Sequence, residues 1–301
     1  MLSTFTQEQL SRLGPTDLSD ELERGRIVCF PECPVKLPAP EDLAFLREEM
    51  PRHLKLKNIS YHPEADRIFG IKGQRDIVER ARRILKEHSA RVQEFLTRAI
   101  PTLARGWQPG TSSFRPLQER GRNLSPHASN ELIHVDAGAY GATHGDRILR
   151  FFVNVNPSED RVWTSKGAFP ELYERYGRQA GVAPSNGKGP RLEEGFLDRL
   201  RTATVKALAA VIPPARLLDS SPYDRAMRRF HNFMKDTPEF QAAPEGHREF
   251  AFKPFSAWMV FTDMVSHACI SGQYAFIDTF IVPLANCRLP ELAPINILRG
   301  R

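Results

Sequence analysis

Long apolar runs are missing from this sequence: none approaches the ~20 residues that a membrane-spanning helix needs, and its start lacks the basic-then-apolar order of a secretory signal. A cytoplasmic protein is the expectation. Cysteine is scarce, with four residues at 29, 33, 269 and 287, too few and too scattered for a disulfide framework. Unpaired thiols in a reducing compartment follow. Cys29-x-x-x-Cys33 has the look of half a zinc site, but Cys269 and Cys287 supply no matching pair. The chain also lacks a Gly-x-Ser-x-Gly elbow and a Walker sequence, which leaves esterase and nucleotide-hydrolase chemistry without an anchor. Internal repeats are absent as well.

What is present is ordinary material for a globular core: 41% hydrophobic and 26% charged residues over 301 positions. Disorder is not indicated. The formal charge of +6 favours anionic partners, whether nucleic acid, phosphorylated sugars or an anionic bilayer surface, without choosing among them. Leu2, Phe5, Gln9 and Leu13 fall roughly in line and predict a short amphipathic helix within residues 2–25, with a second around 20–24. A strand over 26–30 and a helix over 41–50 follow. The strongest helical stripe is Ile77, Ala81, Ile84, Leu85, Val92, Phe95, Leu96 and Ile100, which predicts a helix over 74–100 stopped by Pro101. Its basic residues are interleaved with no aromatics that could stack on bases, so a solvated face is the reading and nucleic acid is not an expected partner.

Strand patterns dominate from residue 111. They are predicted over 111–116, 131–136, 147–156, 161–163, 248–252, 257–262, 264–270 and 274–282, with Ser271-Gly272 turning the last pair into a hairpin. Residues 165–245 read instead as a helical insertion, with helices at 169–176, 196–211 and from Ser221-Pro222 through Met234, and a Gly/Pro/Ser-rich loop over 177–195. The fold class expected is α+β, a double-stranded β-helix of the jelly-roll or cupin-like type with N-terminal helices. One domain spans 1–301: a mostly helical part over 1–110, a jelly-roll core over 111–164 and 246–285, and the insertion between them.

The stretch Glu131-Leu132-Ile133-His134-Val135-Asp136 carries the chemistry. In an extended chain residues two apart project from one face, so His134 and Asp136 point the same way. His267 ends a second strand-like run far downstream. Two imidazoles and a carboxylate with open coordination positions are the facial triad of non-haem Fe(II) oxygenases, in which a bidentate 2-oxo acid and O2 take the remaining positions. His144 is an alternative third ligand, giving a His-x-Asp-x7-His set suited to zinc and hydrolysis. The Gly/Ala loop over 137–145 permits close backbone approach by a ligand.

A 2-oxoglutarate co-substrate needs a cation for its far carboxylate, and arginine's planar fork suits it. Such oxygenases commonly place that arginine about ten residues beyond the distal histidine, which falls here near Ile277 and Thr279, neither of them basic. Alternation in the strand over 147–156 puts Arg150, Phe152, Asn154 and Asn156 on one face. Arg150 is the expected replacement, with Asn154 as a neutral hydrogen-bond partner and Arg115 as the second choice, either for co-substrate or for an anionic substrate. For Arg147 a structural ion pair is the expectation.

Five blocks carry a family resemblance: Thr111-Ser112-Ser113-Phe114-Arg115-Pro116; Leu132 to Ala137; Thr143-His144-Gly145-Asp146-Arg147 onward to Pro157; Tyr223-Asp224 with the helix leading to His231; and Phe261 to Ala268 continuing through Ser271-Gly272-Gln273-Tyr274-Ala275. In these the chain resembles the 3-deoxy-D-manno-oct-2-ulosonic acid (Kdo) hydroxylases of Gram-negative bacteria. The resemblance implies an Fe(II)- and 2-oxoglutarate-dependent dioxygenase that uses O2 to hydroxylate C3 of Kdo in the inner core attached to lipid A. It implies His134, Asp136 and His267 as catalytic metal ligands, and peripheral contact with the anionic inner face of the inner membrane. An oxygenase of the same fold acting on protein or nucleic acid, or a metal-free sugar- or lipid-binding sandwich, is the alternative, because fold does not fix substrate.

Overall fold

The computed structural model describes residues 1–138, 141–184 and 219–300, together with 192, 195, 198, 200 and 202–205. The N-terminal part contains β1 (Leu2–Thr4), α1 (Gln7–Leu10), α2 (Asp17–Glu23), β2 (Ile27–Phe30), α3 (Pro40–Glu48), α4 (Met50–His53), β3 (Ile59–His62), β4 (Arg67–Phe69) and α5 (Arg75–Ala99). Then come β5 (Gln108–Arg115), β6 (Arg147–Asn154), β7 (Arg161–Ser165), α6 (Phe169–Tyr176), α7 (Pro222–Asp236) and α8 (Pro238–Ala242). The chain closes with β8 (Arg248–Phe252), β9 (Ala257–Phe261), β10 (Ala268–Ser271), β11 (Ala275–Val282) and α9 (Pro294–Arg299).

The strands form an eight-stranded sheet in the order β1-β2-β9-β6-β11-β5-β3-β4 and a three-stranded sheet in the order β10-β7-β8. Only β1 and β2 pair in parallel; the other described ladders are antiparallel. Period-two alternation sends successive side chains of β6 to opposite faces. Phe151 meets the rings of Phe30 and Phe95, the latter from α5. Phe152 points the other way, stacked on Trp258 of β9 and edge-on to Trp163 of β7. Phe252 of β8 stacks on Trp258 and completes an aromatic seam between the two sheets. Aromatic pairs of this kind contribute ~1 kcal/mol beyond their area burial, which holds the sheets in face-to-face register.

The helix over 75–99 forms where its stripe predicts. Ala81, Ile84, Leu85, His88, Val92 and Leu96 are buried at three- and four-residue spacing. His88, fully buried on that stripe, stacks on Phe276 and bonds Asp278 of β11 at 3.1 Å. Helix α7 starts on a capping box: Ser221 accepts from the Asp224 amide, Asp224 answers from the third helical position, and Pro222 opens the first turn.

Several expectations are corrected. Residues 2–4 are an edge strand beside β2, and the first helix begins only at Gln7, after Thr6 caps it. Beside its helices, the part expected to be mostly helical also contributes four strands to the larger sheet, among them β3, where Ile59 and Tyr61 alternate inward and the strand lies against β5. Ser271-Gly272 closes no hairpin: β10 belongs to the small sheet and β11 to the large one, so the turn is a crossing between sheets. Gly272 is required there, since a Cβ would lie 2.6 Å from the Arg161 side chain and its φ is +142°. Residues 185–191, 193 and 194 of the loop over 177–195 and most of the helix over 196–211 lie outside the described residues, as do positions 139 and 140 of the Gly/Ala loop.

Candidate metal centre

The strand expected over 131–136 is an extended segment held by separate contacts rather than by a ladder. His134 and His267 exchange backbone hydrogen bonds of 3.1 and 2.8 Å, and the Asp136 amide donates to the Thr262 carbonyl at 2.8 Å. On the partner side, the strand expected over 264–270 begins only at Ala268. Residues 262–264 are a turn in which the chain leaves β9 of the large sheet for β10 of the small one. His267 therefore sits at the junction of the sheets, facing the segment that carries His134 and Asp136.

One ligand atom from each of His134, Asp136 and His267 can be chosen so that all lie within 4.8 Å of one another. His144 is not part of this cluster. It takes a left-handed φ of +53° and bonds Asp219 at 2.8 Å, on a loop that Asp224 fastens through the Thr143 amide and hydroxyl. Cys29 and Cys33 join no metal-competent cluster among the described residues, and all four cysteines are free thiols.

The cluster's protonation suits a cation. His134 Nδ1 lies 2.7 Å from the Leu132 carbonyl and His267 Nδ1 lies 3.0 Å from the Val265 carbonyl, so each Nδ1 carries the proton and each Nε2 keeps its lone pair. Burial pulls the two imidazoles down, His134 to about 3 and His267 to about 4, and keeps them neutral. Asp136 is pushed up by burial, but the Arg150 charge and the His134 ring outweigh this and hold it ionised well below the usual carboxylate range. Its Oδ2 accepts no hydrogen bond: Arg150 Nη2 approaches to 3.0 Å as an ion pair without the alignment of one. Two neutral nitrogens and one carboxylate with an unsatisfied buried oxygen are a donor set for a borderline divalent metal.

The three residues line a cavity of about 300 Å³ with Arg115, Arg150, Phe152, Trp163, His231, Lys57 and Lys235. Arg115 and Arg150 also border a neighbouring cavity of about 240 Å³ that holds Ile277 and Thr279. Arg115 is neutralised by Glu119 at 2.8 Å, a carboxylate that Arg161 also approaches at 3.2 Å. Asn154 does not reach either cavity. Fully buried at the end of β6, it donates to the carbonyls of Glu159 and Phe252 and accepts from the Asn156 amide, so its amide is spent on holding a turn. The expectation that it assists co-substrate binding is thereby corrected.

Sequence reasoning missed several cavity residues. Trp163 stacks on His267 with ring centroids 5.1 Å apart, and Arg161 and Trp163 share one face of a strand whose alternation was readable. His231 on α7 bonds the Val135 carbonyl at 2.7 Å and meets the His134 ring edge-on at 4.9 Å. Lys57 and Lys235 gave no local signal, because they converge from opposite halves of the chain.

No curated protein matches the chain by sequence. Among solved structures it is similar to the Kdo hydroxylase KdoO, a non-haem Fe(II) alpha-ketoglutarate-dependent dioxygenase. The structure of KdoO with alpha-ketoglutarate and Fe(III) shares 27% identity at a TM-score of 0.80, covering 99% of this chain and 95% of that one. The cobalt(II) complex aligns with the same values, and the complex with succinate and Fe(III) gives 26% identity and a TM-score of 0.78 over 99% and 94%. The sequence also matches the Kdo hydroxylase family over residues 6–300. With nearly the whole chain matched and a two-histidine, one-aspartate cluster at the junction of its sheets, this protein belongs to the 3-deoxy-D-manno-oct-2-ulosonic acid (Kdo) hydroxylase family.

Proposed function

We propose that the protein is an Fe(II)- and 2-oxoglutarate-dependent dioxygenase that hydroxylates C3 of Kdo in the inner core of Kdo-lipid A. The observation that carries this reading is the metal-competent cluster of His134, Asp136 and His267 inside a chain that matches the family almost end to end. We take residues 1–301 as one catalytic unit and its two facing sheets as a double-stranded β-helix, a reading supported by the likeness to KdoO.

In this reading His134 and His267 donate through Nε2 and Asp136 through a carboxylate oxygen. Iron with 2-oxoglutarate and O2 supplies the oxidant that converts a C–H bond to C–OH, with succinate and CO2 released. The chain's own work is orientation and exclusion. The Leu132 and Val265 carbonyls fix the imidazole tautomers, and Trp163 lies flat against His267 so that the ring keeps one orientation. Arg150 receives the far carboxylate of the co-substrate from the border of the two cavities, and Arg115, steadied by Glu119, stands beside it. Phe152 and Trp163 present apolar walls that keep bulk water from the reacting carbon.

No described helix is long and apolar enough to cross a membrane. The net charge of +6 supports peripheral attraction to an anionic surface, where each Lys or Arg near the bilayer adds ~1 kcal/mol. The test is mass spectrometry of Kdo-lipid A after incubation with enzyme, Fe(II) and 2-oxoglutarate, beside a His134→Ala control. One added oxygen with wild type and none with the variant is the expected result; an oxygen that persists in the variant removes His134 from the chemistry.

A further inference from the structure

Two of the cavity's four cations already have a carboxylate. Arg115 has Glu119 and Arg150 has Asp136, at 2.8 and 3.0 Å. The other two, Lys57 and Lys235, have none within ion-pair distance among the described residues. Both reach one wall of the cavity, the segment over 127–130. Lys235 Nζ donates to the carbonyls of His127 at 3.1 Å and Ser129 at 2.8 Å. Lys57 Nζ donates to the Ala128 carbonyl and, at 2.8 Å, to Asn130 Oδ1. An ammonium has three donors, so each lysine has spent two on neutral oxygens and keeps one.

We propose that Lys57 and Lys235 form a paired ammonium site for the carboxylate of the sugar-acid acceptor. The inference rests on the reaction proposed above, and the chemistry of that acceptor is what selects a carboxylate. The reacting carbon, C3, is bonded to the carbon that bears the carboxylate, so any group that presents C3 to the metal brings the carboxylate into the same cavity. The charges leave room for it. A dianionic 2-oxoglutarate balances a divalent metal, Asp136 faces Arg150, and Glu119 is already shared by Arg115 and Arg161, so no carboxylate of the cavity is left to pair with the lysines.

A purely structural role fits these residues poorly. Glutamine amides could fasten the same oxygens without burying charge, whereas an unpaired ammonium is costly to desolvate. That cost is visible: burial, with Arg115 adding to it, pulls Lys57 down to about 7, and burial pulls Lys235 down to about 8. The two ammoniums also repel each other across the segment they share. An arriving carboxylate removes both penalties at once.

The test uses the methyl glycoside of Kdo and its C1 carboxamide, titrated calorimetrically into cobalt(II)- and 2-oxoglutarate-loaded protein. Wild type is expected to bind the acid ~tenfold or more tighter than the amide. Lys57→Met and Lys235→Met bring the two ligands to within ~twofold of each other. Lys235→Arg keeps the preference, because charge rather than shape supports it. The affinity for 2-oxoglutarate, titrated separately, stays within ~twofold of wild type in all three. If wild type binds neither ligand, or binds both equally, the site is overturned. Lysine variants that keep the preference, or that lose 2-oxoglutarate instead of the sugar acid, overturn it too. Should either methionine variant fail to fold, Lys57→Gln or Lys235→Gln, which removes the charge but keeps a hydrogen-bond donor for the segment over 127–130, replaces it with the same expected loss of preference. Mass spectrometry separates the two readings: a lysine-dependent preference without oxygen gain retains the carboxylate site and rejects the reaction, and oxygen gain with unchanged acid binding in the methionine variants does the reverse.

Discussion

Thr279 of β11 stands at the same register position as Arg150 of β6, its direct partner across the ladder. The position about ten residues beyond the distal histidine, where such oxygenases commonly place a basic residue, is thus occupied by a neutral side chain, and a cation, Arg150, stands opposite it on the adjacent strand. Both residues border the same cavity.

This exchange makes the arginine's role measurable. Losing a charge-assisted hydrogen bond costs about 1.5–3 kcal/mol, so Arg150→Ala is expected to weaken 2-oxoglutarate binding by roughly 10- to 100-fold. Returning the guanidinium one strand over, in Arg150→Thr with Thr279→Arg, should recover part of that loss. Titration of 2-oxoglutarate into the cobalt(II) protein checks both. If Arg150→Ala binds as tightly as wild type, Arg115 is left as the candidate.

Metal binding supplies an activity-independent readout of the triad. A cation that binds only the folded protein stabilises it by about 2.7 kcal/mol at a concentration 100-fold above its Kd. Cobalt(II) should therefore raise the wild-type melting temperature, while His134→Ala and His267→Ala show little response. His144→Ala should respond as wild type does, because Asp219 rather than the cluster holds that ring.

Much of the site was legible because it depends on short-range geometry. The i, i+2 spacing of His134 and Asp136 places them on one face of any extended segment, whether or not a ladder forms. Arg150 and Phe152 on the cavity side and Phe151 on the other likewise follow from alternation within β6. What the sequence hid is tertiary. Asn154 obeys the same alternation but lies past the cavity, where a turn consumes its amide. The edge strand at 2–4 was masked because Leu2, Phe5, Gln9 and Leu13 fit a helical period, although Thr6 caps a helix that begins after it. The crossing at Ser271-Gly272 looks locally like a hairpin, and only pairing with different sheets distinguishes it.

Acid should expose the buried network beside the cavity. Burial pushes Glu119 up, but Arg115 and Arg161 more than reverse this and bring it from 4.5 to about 2. A carboxyl depressed in the folded state contributes stability that is complete above its unfolded value and is lost as pH falls through the folded one. The gap corresponds to about 3 kcal/mol. Wild-type stability should fall between pH ~5 and ~2 with a share assignable to this group. Glu119→Gln should be less stable at neutral pH and flatter across that interval, as read by urea unfolding at a series of pH values.

The buried pair Arg147 and Asp263 gives the sharpest test of how the metal segment is positioned. Arg147 Nε donates to Asp263 Oδ2 at 2.7 Å with both side chains essentially inaccessible, and the guanidinium lies 4.2 Å from the centre of the Phe261 ring. Asp263 also accepts from the Ile148 amide at 3.2 Å, so it ties the turn after β9 to the start of β6. The preceding residue, Thr262, supplies the carbonyl to which the Asp136 amide donates. Removing one member of a buried ion pair leaves the other charge stranded, at a cost of about 3–5 kcal/mol, whereas apolar replacement of both is often close to neutral. Asp263→Ala is therefore expected to destabilise strongly, and Arg147→Met with Asp263→Leu much less. If the turn also sets the position of Asp136, the double variant should still bind cobalt(II) more weakly than wild type even where its unfolding free energy is restored. Equal cobalt(II) affinity in the double variant and wild type would confine the pair to a role in stability.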